Sequence, residues 1–307
     1  MFYKGMLKTV TIGIPAYNEG LNIASLLHSV FSQSCDGFVL EHVIIASDGS
    51  TDNTIQQAEL FVSQKNCIRI LNNPVRGGLA VRQNQIFSES KSDILVLLQA
   101  DIRISDPDFL NKIIKPIIHD QADLVAANLL PVKAVSFFAK TLEAGYFFKN
   151  NVFEVYKDGL NVYTCHGTAR AFSKRLYHSL RFSKSIGEDA YSYFYCLKKN
   201  FRYFYARDAV PSFRLPESFS DHKKQSSRYM LSRNIMEQFF GAQFVREQYA
   251  LPLFLLIFEL FKQFVKTPII VASHIFLVAF IYIQSVFFPQ KPPSEMWEIS
   301  KTSKNLS

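Results

Sequence analysis

Cysteine is scarce in these 307 residues and widely scattered, at Cys35, Cys67, Cys165 and Cys196, with no CxxC pair. That spacing argues against a structural zinc site or a disulfide framework, and it suits a reducing compartment. The first residues, Met1 to Lys8, contain no long apolar run. No secretory signal is expected there, and the N-terminal part is expected to work in the cytosol. Internal repeats are absent. Charged residues are only 20% of the chain against 48% hydrophobic, which leaves out both a disordered chain and a polytopic transporter. Acidic residues are the minority sign, 26 against 34 Lys and Arg, for a net charge of +8. Between Arg170 and Arg233 the imbalance is concentrated, at 14 basic to 5 acidic residues. A patch of that sign favours phosphate-rich partners or an anionic surface, or else it is a solvated basic face.

The first 130 residues alternate two patterns. Short apolar runs at Val10–Ile14, His42–Ser47, Ile68–Leu71, Ile94–Leu98 and Leu124–Ala127 read as buried strands of a mostly parallel sheet. Between them, Leu21, Ile23, Leu26, Leu27, Val30 and Phe31 recur at helical spacing. A second helix is expected after Asp52, carrying Ile55, Ala58, Leu60 and Phe61. This is a βαβ alternation, an α/β fold with its ligand site at the C-terminal strand ends. From residue 131 the pattern turns mixed and aromatic-rich, and it is expected to build the second half of the same domain on the edge of the sheet.

The turns after the strands carry the polar residues. Pro15-Ala16-Tyr17-Asn18-Glu19 breaks the first strand. Asp48-Gly49-Ser50-Thr51-Asp52 ends the second, where Asp48 can accept hydrogen bonds from a base or a ribose, and Asp52 or Thr51 can cap the next helix. Arg76-Gly77-Gly78, followed by Arg82 and Asn84, can wrap a pyrophosphate. Gln99-Ala100-Asp101 ends the fourth strand and offers one carboxylate, of the kind that holds Mg²⁺ or Mn²⁺ with substrate phosphates completing the shell.

Taken in order, TIGIPAYNEG, VIIASDGSTDNT, RGGLAVRQNQ and ILVLLQADI resemble glycosyltransferase family 2, strongly over residues 8–130 and loosely over 131–240. The resemblance implies the GT-A fold, a Rossmann-like nucleotide-diphospho-sugar transferase domain over residues 1–245. It also implies an inverting hexosyl transfer from a nucleotide-sugar, with uridine the expected base. Ala16 and Glu19 would then contact the nucleoside and Asp48 the base, Pro15 and Tyr17 of the same turn would be substrate-binding, and Asp101 would bind the metal. The family's Asp-x-Asp motif has Gln99 at its first position here, which lowers the charge offered to a cation. Gly187-Glu188-Asp189 resembles the acceptor-site acidic pair, with Asp189 the candidate base and Glu188 its positioning partner. A helix N-terminal acidic pair is the plainer alternative. Gly167 resembles the turn lining the acceptor pocket, and Gln225-Ser226-Ser227-Arg228-Tyr229 resembles a QxxRW element in which Arg228 meets the diphosphate. His222 is a further candidate metal ligand.

Residues 246–290 form the main shift in composition. Pro268–Phe288 holds 21 residues without Asp, Glu, Lys or Arg, enough to span a bilayer. Ala250–Phe261, apolar except for Glu259, suits an interface. The longer run spans the membrane, lies in its interface, or packs at a dimer contact; the tail 291–307 is polar. The expected partners are a nucleotide-sugar, a glycan or lipid-linked acceptor and the cytoplasmic face of a membrane, with no nucleic acid. A nucleotidyltransferase on a similar fold and a non-catalytic nucleotide-sugar-binding scaffold are the rival readings.

Overall fold

The computed structural model describes residues 7–183 and 187–287. The chain runs β1 (Lys8–Ala16), α1 (Ile23–Phe31), β2 (Phe38–Asp48), α2 (Thr54–Val62), β3 (Ile68–Asn73), α3 (Leu79–Glu89), β4 (Ile94–Leu98) and β5 (Ile102–Arg103). It continues through α4 (Phe109–Ile118), β6 (Leu124–Ala127), β7 (Leu130–Pro131), α5 (Phe137–Val155), β8 (Ala169–Ser173), α6 (Lys174–Ser179), α7 (Glu188–Lys198), β9 (Tyr203–Ala206) and β10 (Ser212–Phe213). The last elements are α8 (Phe219–Phe240), α9 (Ala242–Tyr249), α10 (Leu253–Lys266) and α11 (Pro268–Phe287).

Seven strands form the main sheet in the order β3-β2-β1-β4-β8-β6-β9. All five expected strands are present. β4 and β6 keep the expected bounds, while β1, β2 and β3 extend them. Alternate side chains serve opposite layers. Val10, Ile12 and Ile14 pack with Ile23, Leu26 and Leu27 of α1 and Phe109, Leu110 and Ile113 of α4. Ile44, Leu95 and Leu97 face the other way, onto Ile86 and Phe87 of α3, Tyr177 of α6 and Phe194 of α7.

Two expectations change. The segment after residue 131 does not stay on the sheet edge. β8 is inserted antiparallel between β4 and β6, pairing Leu97 with Arg170 and Ala126 with the same residue. The helix after Asp52 begins at Thr54 with Asn53 in the cap position, although Asp52 still serves its N-terminus by accepting from the Thr54 N–H at 3.0 Å. A second sheet, β5-β10-β7, sits beyond the C-terminal end of β4, immediately after Asp101.

The apolar C-terminal runs become α10 and α11. By length and composition Ala242–Lys266 could cross a bilayer, but the backbone is extended at Ala250 and Pro252 and divides it into α9 and α10. Both α10 and α11 pack on α5 and on each other.

Candidate active site

The turns after β1, β2 and β3 meet at the C-terminal edge of the sheet, and one carboxylate organises them. Asp48 is 4% exposed. Its Oδ1 accepts from the Gly77 N–H at 2.7 Å and from Arg82 Nε at 2.7 Å, and its Oδ2 accepts from the Gly78 N–H at 3.0 Å. Charge-assisted bonds of this kind fix a loop more firmly than neutral ones. Gly49 makes the close approach possible. Its φ is +71°, and a Cβ there would lie 3.1 Å from the Arg76 backbone nitrogen. Arg82 is committed to the same loop, with Nη2 donating to the Val75 carbonyl at 2.9 Å and Nη1 to Gln85 Oε1 at 3.1 Å. Arg76 lies over the Tyr17 ring, its guanidinium carbon 3.9 Å from the centroid, and makes a flat cationic wall beside the first turn.

The first turn is tied to the second. The Glu19 N–H donates to Thr54 Oγ1 at 2.7 Å, and the Gly20 N–H donates to Asp52 Oδ2 at 3.0 Å. Pro15 and Ala16 stand opposite Ala46 and Ser47 in the register of β1 and β2. Buried Glu19 accepts from Asn22 Nδ2 at 2.9 Å. Asn84, expected near a pyrophosphate, is instead bound to the Phe182 backbone through both polar atoms: its Nδ2 donates to the Phe182 carbonyl at 2.7 Å and its Oδ1 accepts from the Phe182 N–H at 2.9 Å. It ties α3 to the chain at Phe182.

The end of β4 joins the opposite wall of the cleft. The Gln99 N–H donates to the Thr168 carbonyl at 2.9 Å, which places Gln99, buried Ala100 and part-exposed Asp101 beside the Cys165–Thr168 turn. Across that turn lies Asp189, in the first turn of α7. A Cβ on Gly167 would sit 3.4 Å from Asp189 Cβ and 3.9 Å from its Oδ2. Burial raises the Asp189 carboxyl above the ordinary range, partly opposed by the Arg170 guanidinium. Glu188 is 4% exposed, and its carbonyl accepts from Arg170 Nη1 at 2.9 Å.

Arg170 was not singled out in the sequence, yet it is fully buried on β8. It holds the start of α7 through the Glu188 carbonyl and Ser192 Oγ. The available signal was a guanidinium inside the otherwise buried strand Ala169-Arg170-Ala171-Phe172. His166 was missed as well. Its Nε2 is buried and has no partner among the described residues, and burial pushes its pKa down to about 4, so the ring is neutral.

Not every candidate converges. Among the described residues no group of three His, Cys, Asp or Glu side chains could hold a metal ion. His222 lies against α5, its ring 6.4 Å from that of Phe138, and burial with Lys149 nearby brings its pKa down to about 4. The expected pair Asp101 and His222 therefore has no third protein ligand among the described residues. The donor set fits a divalent ion only as one carboxylate completed by a bound diphosphate. Gln225 lies on α8; the side chains of Arg228 and Tyr229 fall outside the described residues.

The family model "Glycosyl transferase family 2" matches residues 11–181, more than half of the chain. Over 123 residues the sequence is 24% identical to the glycosyltransferase GlyG of Streptococcus pneumoniae serotype 4, covering 40% of each chain. It is 27% identical over 119 residues to the dolichol-phosphate mannosyltransferase of Saccharomyces cerevisiae, covering 38% of this chain and 44% of that one. The matches thus span less than half the length of these curated relatives. The fold is similar to that of the mannosyltransferase PcManGT of Pyrobaculum calidifontis, solved with GDP-Man and Mn²⁺. The TM-score is 0.58 at 18% identity, over 92% of this chain and 76% of that one.

Proposed function

The chain belongs to glycosyltransferase family 2 and has the GT-A fold, and from that premise we propose that it transfers a hexose-type sugar from a nucleotide-diphosphate donor with inversion. The donor lies over the turns of β1, β2 and β3, its nucleoside against Tyr17 and Arg76. Asp189 takes the proton of an acceptor hydroxyl as that oxygen attacks the anomeric carbon. The bond from that carbon to the donor phosphate breaks, and a nucleoside diphosphate leaves. Asp101, with Gln99 beside it, would hold Mg²⁺ or Mn²⁺ against the diphosphate. A bound divalent ion supplies charge neutralisation of the leaving group.

One observation carries the reading: a part-exposed carboxyl, raised by burial, stands against the Gly167 turn, and that turn is hydrogen-bonded to the strand end that carries Asp101. A general base is most effective with a pKa lifted toward the working pH. Uridine is the proposed base, and the acceptor is a glycan or lipid-linked glycan at the cytosolic face of a membrane. The exposed apolar surface of α10 and α11 supports that location, and so does the local likeness to a dolichol-phosphate mannosyltransferase.

The test is nucleoside diphosphate release by the full chain from a panel of UDP- and GDP-sugars, with and without Mn²⁺. Release from one donor, lost in Asp101→Ala and lowered about 10²–10⁴-fold in Asp189→Asn, is the expected outcome. Pyrophosphate as the product would mean nucleotidyl transfer. Donor binding without turnover, in the presence of membrane extract as an acceptor source, would leave a binding protein.

A further inference from the structure

Helix α11 is about 30 Å long at 1.5 Å per residue, the thickness of a hydrocarbon core. Its middle is nevertheless fixed to the rest of the protein from Val271 to Ile281. Val271, in its first turn, and Ile281, ten residues further on, are 3% and 7% exposed. Between them His274 lies so close to α5 that a Cβ on Gly145 would fall 1.9 Å from its ring. Further along, Phe280 meets Phe219 of α8 with ring centroids 5.9 Å apart. To stand free across a bilayer the helix would have to give up these contacts, which cover about 15 Å of it.

The other side of α11 is apolar and open. Ile269, Phe276 and Phe287 are 73%, 72% and 71% exposed, and their spacing of seven and eighteen residues places them on one face. On α10, Leu253, Phe254, Ile257, Phe258, Phe261 and Val265 are exposed in the same way. Charge on this surface has one sign. Glu259 is the only acid between Leu253 and Phe287, and it is 4% exposed with Lys262 Nζ 2.9 Å away. Lys262 is half exposed beside the Phe258 ring, and Lys266 is exposed at the end of α10. Lysines rimming an apolar face complement an anionic leaflet. A second copy of the same face would bring lysines to lysines with no accessible carboxylate between them.

The surface also continues toward the site. Val135 and Phe137, 87% and 59% exposed, stand just after β7. β7 pairs with β10 and β10 with β5, which follows Asp101 directly. Helix α8 touches this platform through Phe219 and reaches Gly187 with Ser232, whose Oγ would be 2.1 Å from a Cβ there.

We propose that α10 and α11 lie flat in one leaflet of an anionic membrane, as a monotopic platform that sets the acceptor side of the cleft at headgroup level. The inference rests on the membrane part of the function proposed above. An amphipathic acceptor with its tail in the leaflet would then present its head to Asp189 without leaving the membrane.

Tryptophan placed at Ile269, Phe276 or Phe287, each in the full chain with Trp297→Phe, reports depth in phosphatidylcholine–phosphatidylglycerol vesicles carrying brominated lipids. Equal, shallow quenching at all three positions, roughly 5–10 Å below the headgroups, is expected. Depth running from one interface through the centre to the other would overturn the proposal in favour of a spanning helix. Failure to bind vesicles, with a stable dimer in solution, would overturn it in favour of a second copy. Phe254→Glu with Phe258→Glu and Phe276→Glu, all exposed positions, should lower the vesicle-bound fraction at least tenfold and leave the thermal midpoint unchanged. Since neither measurement reads turnover, bound vesicles without nucleoside diphosphate release would sink the enzymatic reading alone. Turnover by a protein that ignores vesicles would sink the platform alone.

Discussion

At the scale of single residues, the cleft is governed by two carboxyl groups in opposite states. Asp48 is saturated with donors and acts as the post around which the Arg76–Gly78 loop is wound. Asp189 has few donors, the neighbouring Ala190 N–H at 2.8 Å from Oδ1 and its own backbone N–H, with the field of the Arg170 guanidinium beside them. Burial therefore wins and its carboxyl is raised. A base works only when deprotonated, so turnover should rise with pH through this raised pKa, and the acidic limb should lie above the ordinary aspartate range. Arg170 opposes the shift, so Arg170→Met should move that limb further toward alkaline pH, and Asp189→Glu should retain a limb that Asp189→Asn lacks. The pH dependence of kcat/KM for the three variants checks this. A limb unmoved in Arg170→Met, with circular dichroism showing an intact fold, would mean that another group titrates.

At the scale of elements, the C-terminal strand ends carry the candidate site and the opposite edge carries a structural hub. Asp123, 1% exposed, accepts from Ser173 Oγ at 2.9 Å, from the Arg202 N–H at 3.1 Å and from Arg175 Nε at 2.5 Å. These bonds join the end of β8 and the start of α6 to the start of β9. Burial pushes the Asp123 carboxyl up, but Arg175, the Arg202 amide and Ser173 together bring it below its ordinary value. A carboxyl depressed in the folded state stabilises it above the unfolded pKa of about 3.9, and that contribution is lost as pH falls through the folded value. Arg175 is 62% exposed, so its share is screened, and Asp123→Asn should cost about 2 kcal/mol at pH 7. The difference from the parent should shrink as the pH is lowered into the acid range; urea unfolding at several pH values measures it. The same elements show what was legible beforehand. β4 and β6 are unbroken apolar runs, Ile94–Leu98 and Leu124–Ala127, and their shortness between turn residues favours strands over helices. β8 escaped notice because Arg170 interrupts its apolar pattern, and its partners β4 and β6 lie tens of residues earlier. The two-residue strands β5, β7 and β10 have no periodicity to read at all. In the site, the motif residues at strand ends could be named from sequence. The commitment of Asn84 to Phe182 and of Arg82 to Asp48 could not, because each depends on a loop folded back from a distant position.

At the scale of the whole molecule, the proposed membrane contact would draw on charge and on apolar surface separately. The net charge of +8 is drawn largely from residues 170–233, whereas the exposed Phe, Ile and Leu side chains of α10 and α11 come after it in the chain. These two contributions respond differently to solvent. Each lysine close to an anionic leaflet contributes about 1 kcal/mol, and the attraction falls off within a Debye length of about 3 Å at 1 M salt. Burial of apolar side chains is not screened by simple salt and continues at about 25 cal/mol per Å² removed from water. Lys266 should therefore tighten binding about fivefold on passing from neutral to anionic vesicles at low salt, with a smaller share from Lys262, whose charge Glu259 offsets. Sodium chloride at 1 M should erase that increment and leave the protein on the vesicles, and Lys262→Gln with Lys266→Gln should remove most of the increment while sparing the salt-resistant part. Co-sedimentation across salt and lipid composition separates the two. Complete release by salt alone would mean that the aromatic face of α10 and α11 never enters the leaflet, and that the basic surface of residues 170–233 is what meets the membrane.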